Sequence, residues 1–255
     1  MQNNRNPVLG GVAVSWNVGL AFFVMVFVAA ITGCGKKEDP QLVAERKMVT
    51  EGVEILRGGT PVQRDSVIRT LYNLKNPGLL QQYLQDTDPN VQIGVVSAIG
   101  FLKDKSAAPA LNQLLLSVKE YLLRETIVFA IGELADTSSV PVLVSLLEDP
   151  AVERDLRLSI PITLAAFGRT EASGKVEQAF VKILDQQGED IELCSYIAVG
   201  ILEILRPGNY ELFHGRLPRL KAMAEKRKAE TGEDGIWTNF DLTIQALDNY
   251  KPPAS

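Results

Sequence analysis

The chain has 255 residues, with 26 lysines and arginines against 31 aspartates and glutamates, one histidine and two cysteines. This acidic balance excludes a general nucleic-acid binder, because phosphate contacts need a clustered basic face. A single histidine excludes any two-histidine metal site, and neither a metal nor a cofactor is expected.

The first element is an apolar run from Val8 to Ile31, interrupted by Ser15, Trp16 and Asn17. Its densest part, Val18 to Ile31, matches a signal-peptide apolar core and is short for a membrane span. The run stops at "ITGCGKKEDP", where a cysteine stands between the apolar and charged stretches. The tetrapeptide Ile31-Thr32-Gly33-Cys34 resembles the lipobox of bacterial lipoproteins, in which an aliphatic residue, two small residues and a cysteine mark cleavage. That resemblance implies that Cys34 becomes the first residue and carries acyl chains. Each buried methylene contributes about 0.8 kcal/mol, so two or more chains hold a protein stably at a bilayer. The expected organisation is a lipoprotein signal peptide at 1–33, a short lipidated tether at 34–40 and a repeat domain at 41–255. The mature chain then has 255 − 33 = 222 residues and a formal charge of 25 − 31 = −6, since Arg5 is lost. Only Arg5 and the amino terminus precede the run as positive charges, while Lys36 and Lys37 follow it, so charge gives weak guidance on orientation. The alternative is an uncleaved amino-terminal anchor whose cysteine is incidental. Gly35 stands where an aspartate retains lipoproteins in the inner membrane; the resemblance therefore implies an outer-membrane protein facing the periplasm if the host is Gram-negative. Acylation of Cys34 leaves no second thiol for a disulfide, and Cys194, within "IELCSYIAVGIL", reads as a buried inert residue.

Helix starts follow at Asp39-Pro40, Thr60-Pro61, Asp88-Pro89 and Asp149-Pro150, each a capping side chain ahead of a first-turn proline. Gly58-Gly59 and Asn76-Pro77-Gly78 read as stops. The segment "PQLVAERKMVTEGVEILR" supplies an amino-terminal cap through Leu42, Val49, Val53 and Leu56. "SAIGFLKDKSAAPALNQLL" from Ser97 and "FAIGELADTSSVPVLVSLL" from Phe129 overlay without a gap, pairing Gly100 with Gly132 and Pro109 with Pro141. Fainter copies place Gly168 36 residues after Gly132 and Gly200 a further 32 on, and "RTLYNLKNPGLLQQYL" keeps the helix-turn-helix rhythm upstream without the glycine. A period near 32 residues with helical spacing inside each unit marks an α-solenoid. In the unit at Val91, the residues Val91, Val95, Ala98, Ile99 and Leu102 form one apolar stripe, and Gly100 admits a neighbouring backbone. Ser106 is placed to cap a second helix carrying Leu111, Leu114 and Leu115. Pro161 predicts a kink or break in the fourth unit.

No alternating β pattern occurs, so the fold class is all-α. The stretches "DTDPNVQIGVVSAIGFLKDKSAAPAL" and "LRETIVFAIGELADTSSVPVLVSLLED" resemble HEAT-like repeats of the short kind found in phycobilisome lyases and bacterial adaptors. The resemblance spans about residues 60 to 206 and implies an α-solenoid of about five HEAT-like helix pairs. Trp237, Phe240, Ile244 and Leu247 line one side of a terminal helix that caps the stack or docks a partner.

Chemistry-bearing residues are few. His214, in "YELFHGRLP", reads as a turn residue, and no catalytic residue is assigned. "GRTEASGK" departs from a phosphate-binding loop in its glycine spacing and in Val176. The acidic pairs Glu148-Asp149, Glu189-Asp190 and Glu233-Asp234 fall at turns or helix starts, where they complement the helix dipole. Gln81, Gln82, Gln85, Asn112, Gln113, Gln178 and Lys182 lie off the apolar stripes of second helices. By the resemblance these helices line the concave face, where an amide-rich stripe grips an extended peptide or glycan; ordinary solvated surface is the alternative. The basic residues Arg216, Arg219, Lys221, Lys226, Arg227 and Lys228 either touch anionic headgroups or are merely solvated. The expected function is a membrane-anchored, non-catalytic adaptor that binds a protein partner through the solenoid face. A lyase-like or ligand-handling protein, or a structural subunit of an envelope complex, is the alternative.

Overall fold

The computed structural model describes residues 38–186, 190–231 and 237–250, without the side chains of 230, 231 and 237–239. The lipobox with Cys34, the segment 1–33, most of the tether, Glu189, Glu233, Asp234 and the Trp237 side chain lie outside the described residues. The chain divides into two units, 1–43 and 44–255. In the first, the described residues open α1 (Pro40–Gly58): Asp39 Oδ1 accepts the Gln41 N–H at 2.9 Å, capping the helix as its Asp-Pro start predicts.

Among the described residues the second unit is built from helices and three short 3-10 turns, with no strands. After α1 come α2 (Pro61–Leu71), α3 (Gly78–Gln81), α4 (Pro89–Leu102), α5 (Ala108–Ser117), α6 (Tyr121–Leu134) and α7 (Val140–Glu148). They are followed by α8 (Arg154–Ala165), α9 (Ser173–Asp185), α10 (Ile191–Ile204), α11 (Tyr210–His214), α12 (Leu217–Thr231) and α13 (Trp237–Asn249). First helices stack in chain order, α2 on α4, α4 on α6, α6 on α8, α8 on α10 and α10 on α13. The second helices α5, α7 and α9 pack behind them, and α11 and α12 both pack against α13. The core runs continuously through the stack, from Val49, Val53 and Leu56 of α1 to Phe240 and Leu247 of α13. This is an all-α solenoid.

The repeat is visible atom by atom. The predicted stripe Val91, Val95, Ala98 and Ile99 is fully buried, with Leu102 at its edge. A Cβ built on Gly100 would lie 2.9 Å from both Cα and Cβ of Ala130, so α4 and α6 touch through backbone, as the sequence predicts. Gly132 faces Thr163 of α8, where the nearest atom is the side-chain methyl Cγ2 at 3.1 Å. The two fainter glycines serve other contacts: Gly168 lies beyond the end of α8 against Ile204, while Gly200 faces back onto Phe180 and the Pro161 carbonyl. Helices α4 and α6 both end on left-handed residues, Lys103 (φ 54°) and Ala135 (φ 48°), 32 residues apart.

Four local expectations are corrected. Ser106 does not cap α5; Asp104 caps the 3-10 turn Lys105–Ala107, accepting the Ser106 N–H at 3.1 Å and its hydroxyl at 2.6 Å. Asp136 and Ser138 repeat this arrangement one unit on. Asp149-Pro150 opens a turn rather than a helix, since Asp149 Oδ1 accepts the Ala151 N–H and α8 begins only at Arg154. Asn76-Pro77-Gly78 opens α3 instead of stopping a helix, and three-residue hydrogen-bond steps such as Tyr83 N–H to Leu80 carbonyl end it after one turn. Helix α8 runs unbroken through Pro161, which is buried in the stack beneath α10. Thr60 and Gln63 form the full capping box that Thr60-Pro61 announces, and Asp88 caps α4.

Candidate functional site

The amide stripe proposed on the second helices is only partly presented to solvent. Gln81 bridges two units, its Nε2 donating to Asp104 Oδ2 at 2.9 Å and Ser106 Oγ at 2.8 Å. Asn112 is half-buried, and its Oδ1 has no hydrogen-bond partner among the described residues. Lys182 reaches back to Glu148 of the preceding unit at 2.7 Å, while its side chain stays 56% exposed. Gln82, Gln85, Gln113 and Gln178 are exposed. Because α3 is a single turn, Gln82 and Gln85 occupy the turn that follows it and not a second helix. Gln178 and Lys182 come together on α9, across from Pro141, Val144 and Ser145 of α7, around an open groove of about 450 Å³.

Other candidate residues have structural roles. His214 ends α11 half-buried, with its ring stacked on Tyr210 at 4.9 Å. Cys194 is fully buried. Asp190 caps α10 through the Glu192 N–H and pairs with Arg154. Burial works against the Asp190 carboxylate, yet its bonds from Arg154 and the backbone outweigh this and hold its pKa below the usual value. Arg154 is correspondingly raised by bonds to Asp190 and then Glu192. The basic segment is tied to the chain's own acceptors: Arg216 to Asp185 at 2.9 Å, Lys221 to Asp248 at 2.8 Å, Lys228 to Asp241 at 3.8 Å, and Arg219 to the Gln186 carbonyl. Four of its six positive groups thus face acceptors elsewhere in the chain, with Lys221 and Lys228 remaining partly exposed. Among the described residues no helix is long and apolar enough to cross a membrane, and no group of three or more acidic, histidine or cysteine side chains is arranged to hold a metal.

A second groove lies on the other helix layer, across α6, α8 and α10, with Tyr121, Phe129, Ile162 and Tyr196 along it. The sequence hardly sets it apart, because apolar positions within first helices look alike until the helices are packed. The available signal is that Phe129 falls outside the set Leu123, Ile127, Val128, Ala130, Ile131 and Leu134 that α6 buries.

Comparison with known proteins agrees with the architecture. Residues 52–127 match the family model for HEAT repeats, and residues 123–149 match that for the PBS lyase HEAT-like repeat. No curated protein matches the chain. Among solved structures, an engineered protein is 16% identical with a TM-score of 0.48, over 79% of this chain and 95% of that one. The CpcE–CpcF complex of phycocyanin lyase from Nostoc sp. PCC7120 is 18% identical with a TM-score of 0.40, over 96% and 99%. Human deoxyhypusine hydroxylase is 14% identical with a TM-score of 0.35, over 82% and 98%. HEAT-like repeats thus occupy residues 52–149, within an all-α solenoid.

Proposed function

We propose that the protein is a lipid-anchored, non-catalytic adaptor that holds a protein partner along the second-helix layer of its solenoid. The observation that carries this reading is the open α7–α9 groove with Gln178 exposed at its rim, together with exposed Gln113 on α5 and Gln82 in the turn after α3. Amides offer donors and acceptors to a peptide backbone without the desolvation penalty of a charge. The lipobox-like Ile31-Thr32-Gly33-Cys34 supports removal of 1–33 and acylation of Cys34, with the outer membrane as the location in a Gram-negative host. Because Pro40 already opens α1, the solenoid is held close to the bilayer by a tether of a few residues.

The test replaces Gln82, Gln113 and Gln178 together by glutamate. The expected result is loss of a co-purifying partner while the helical circular-dichroism signal is unchanged, since all three side chains are exposed. Unchanged pull-downs would contradict the assignment of this face.

A further inference from the structure

The first-helix layer carries an open groove of about 540 Å³ across α6, α8 and α10 that the adaptor reading leaves unused. On its rim Phe129 is 65% exposed and Ile162 49% exposed. Their helices already have complete inner faces, Leu123, Ile127 and Ile131 in α6 and Leu156, Ile160 and Leu164 in α8. Phe129 and Ile162 are therefore surplus to the fold, and covering them would remove apolar surface from water. Phe129, Ile162 and Tyr196 recur at steps of 33 and 34 residues, one per unit, and so line up across the stack. A contiguous apolar row of this kind marks an interaction surface.

Charge identifies the occupant. Glu125, Asp155 and Glu192 line the groove, and no lysine or arginine does. Glu192 is neutralised by Arg154. Glu125 accepts the Tyr121 hydroxyl at 3.3 Å, and neither Glu125 nor Asp155 forms an ion pair among the described residues. The Tyr121 phenol is held above its ordinary pKa by partial burial and then by the carboxylates of Glu125 and Asp155, in keeping with a negative local field. The groove is thus an apolar row with two unpaired acids, Glu125 and Asp155, one or two helical turns before its anchors.

We propose that this groove docks an amphipathic helix of a partner protein, carrying large apolar side chains at heptad spacing flanked by lysines or arginines. Packed helices lie about 8–10 Å apart, and seven residues of a helix advance about 10.5 Å, so one heptad spans one repeat. Apolar anchors fall between Phe129, Ile162 and Tyr196, while the flanking cations face Glu125 and Asp155. This site is separate from the amide face, because it lies on the other helix layer.

The test uses the full-length chain in a neutral detergent and labelled helical peptides of about three heptads. One peptide carries leucines at heptad positions flanked by lysines, a second has glutamates in place of the lysines, and a third has the first composition scrambled. Fluorescence anisotropy is expected to show saturable binding of the lysine peptide, with the other two weaker by about tenfold or more. Phe129→Ala with Ile162→Ala, and separately Glu125→Lys with Asp155→Lys, are each expected to weaken it about tenfold with an unchanged thermal melt. Equal binding of the glutamate or scrambled peptide overturns the proposal, as does binding that neither double variant reduces. Self-association in sedimentation that Phe129→Ala abolishes also overturns it, by assigning the groove to a second copy. A signal from micelles alone that accounts for all the binding would do the same.

Discussion

Gly100 sits two residues before the end of α4, where the backbone of α6 passes close enough that a methyl group has no room. Gly100→Ala gains up to about 1 kcal/mol of helix propensity but overpacks a contact worth about 1–3 kcal/mol, and the nearest atoms are Cα and Cβ of Ala130, which cannot rotate away. Net destabilisation by urea denaturation is expected, whereas Gly174→Ala, with nothing within 4 Å, is expected to be neutral or stabilising. Asp136 supplies a second residue-level test. The Ser138 hydroxyl and then its backbone N–H hold the Asp136 carboxylate below its usual pKa. A depressed folded pKa gives stability that is present above the unfolded value and lost as pH falls through the folded one. Asp136→Ala should therefore cost about 1 kcal/mol at neutral pH, and the gap to the parent should close as pH falls below about 4. Sequence spacing identified Gly100, because a small residue at a helical crossing leaves a clear trace. It misplaced the cap at Ser106, because Asp104, two residues earlier, binds the same turn and nothing in the residue types ranks an aspartate below a serine there.

At the scale of elements, the ends of the stack are closed by helices that do not belong to repeat pairs. In α1, Glu45 is buried and accepts the Lys75 and Asn76 N–H groups at 3.2 Å and Asn76 Nδ2 at 2.6 Å, joining the helix to the turn after α2. At the other end α13 covers α10, burying Phe240 and Leu247 and donating Thr243 Oγ1 to the Ala198 carbonyl at 2.7 Å. Phe240→Ala is expected to cost about 3 kcal/mol and to speed amide exchange in α10 before α4, because a solenoid loses its ends independently. Both capping helices were legible from their apolar spacing. The truncated α3 and the late start of α8 were not, since each depends on which of several adjacent turn signals the neighbouring unit accommodates. Pro161 is the plainest case: its isolated effect is to break a helix, and burial between α8 and its neighbours overrides it.

At the scale of the molecule, the stack presents two layers of different chemistry. The second-helix layer offers a shallow groove with Gln178 among Glu148, Lys175 and Lys182, and the first-helix layer offers an apolar row beside unpaired acids. Gln178 and Lys182 are legible in the sequence because polar residues stand out against an apolar stripe, while Gln81 is engaged between units and Gln82 and Gln85 fall in a turn. The apolar row was hidden because Phe129 and Ile162 look like core residues until the rotation of each helix is known. Ion pairs between units, such as Arg57–Asp86 at 2.8 Å and Arg206–Glu177 at 2.6 Å, fix the register of the stack more than its stability, since exposed pairs contribute about 0–1 kcal/mol. The adaptor account is tested most directly by amine-reactive crosslinking of native membranes read by mass spectrometry. It predicts that Lys175 and Lys182, at the mouth of the α7–α9 groove, are joined to a second protein in the membrane fraction. Recovery of the chain only in the soluble fraction, with every crosslink confined to itself, would contradict it.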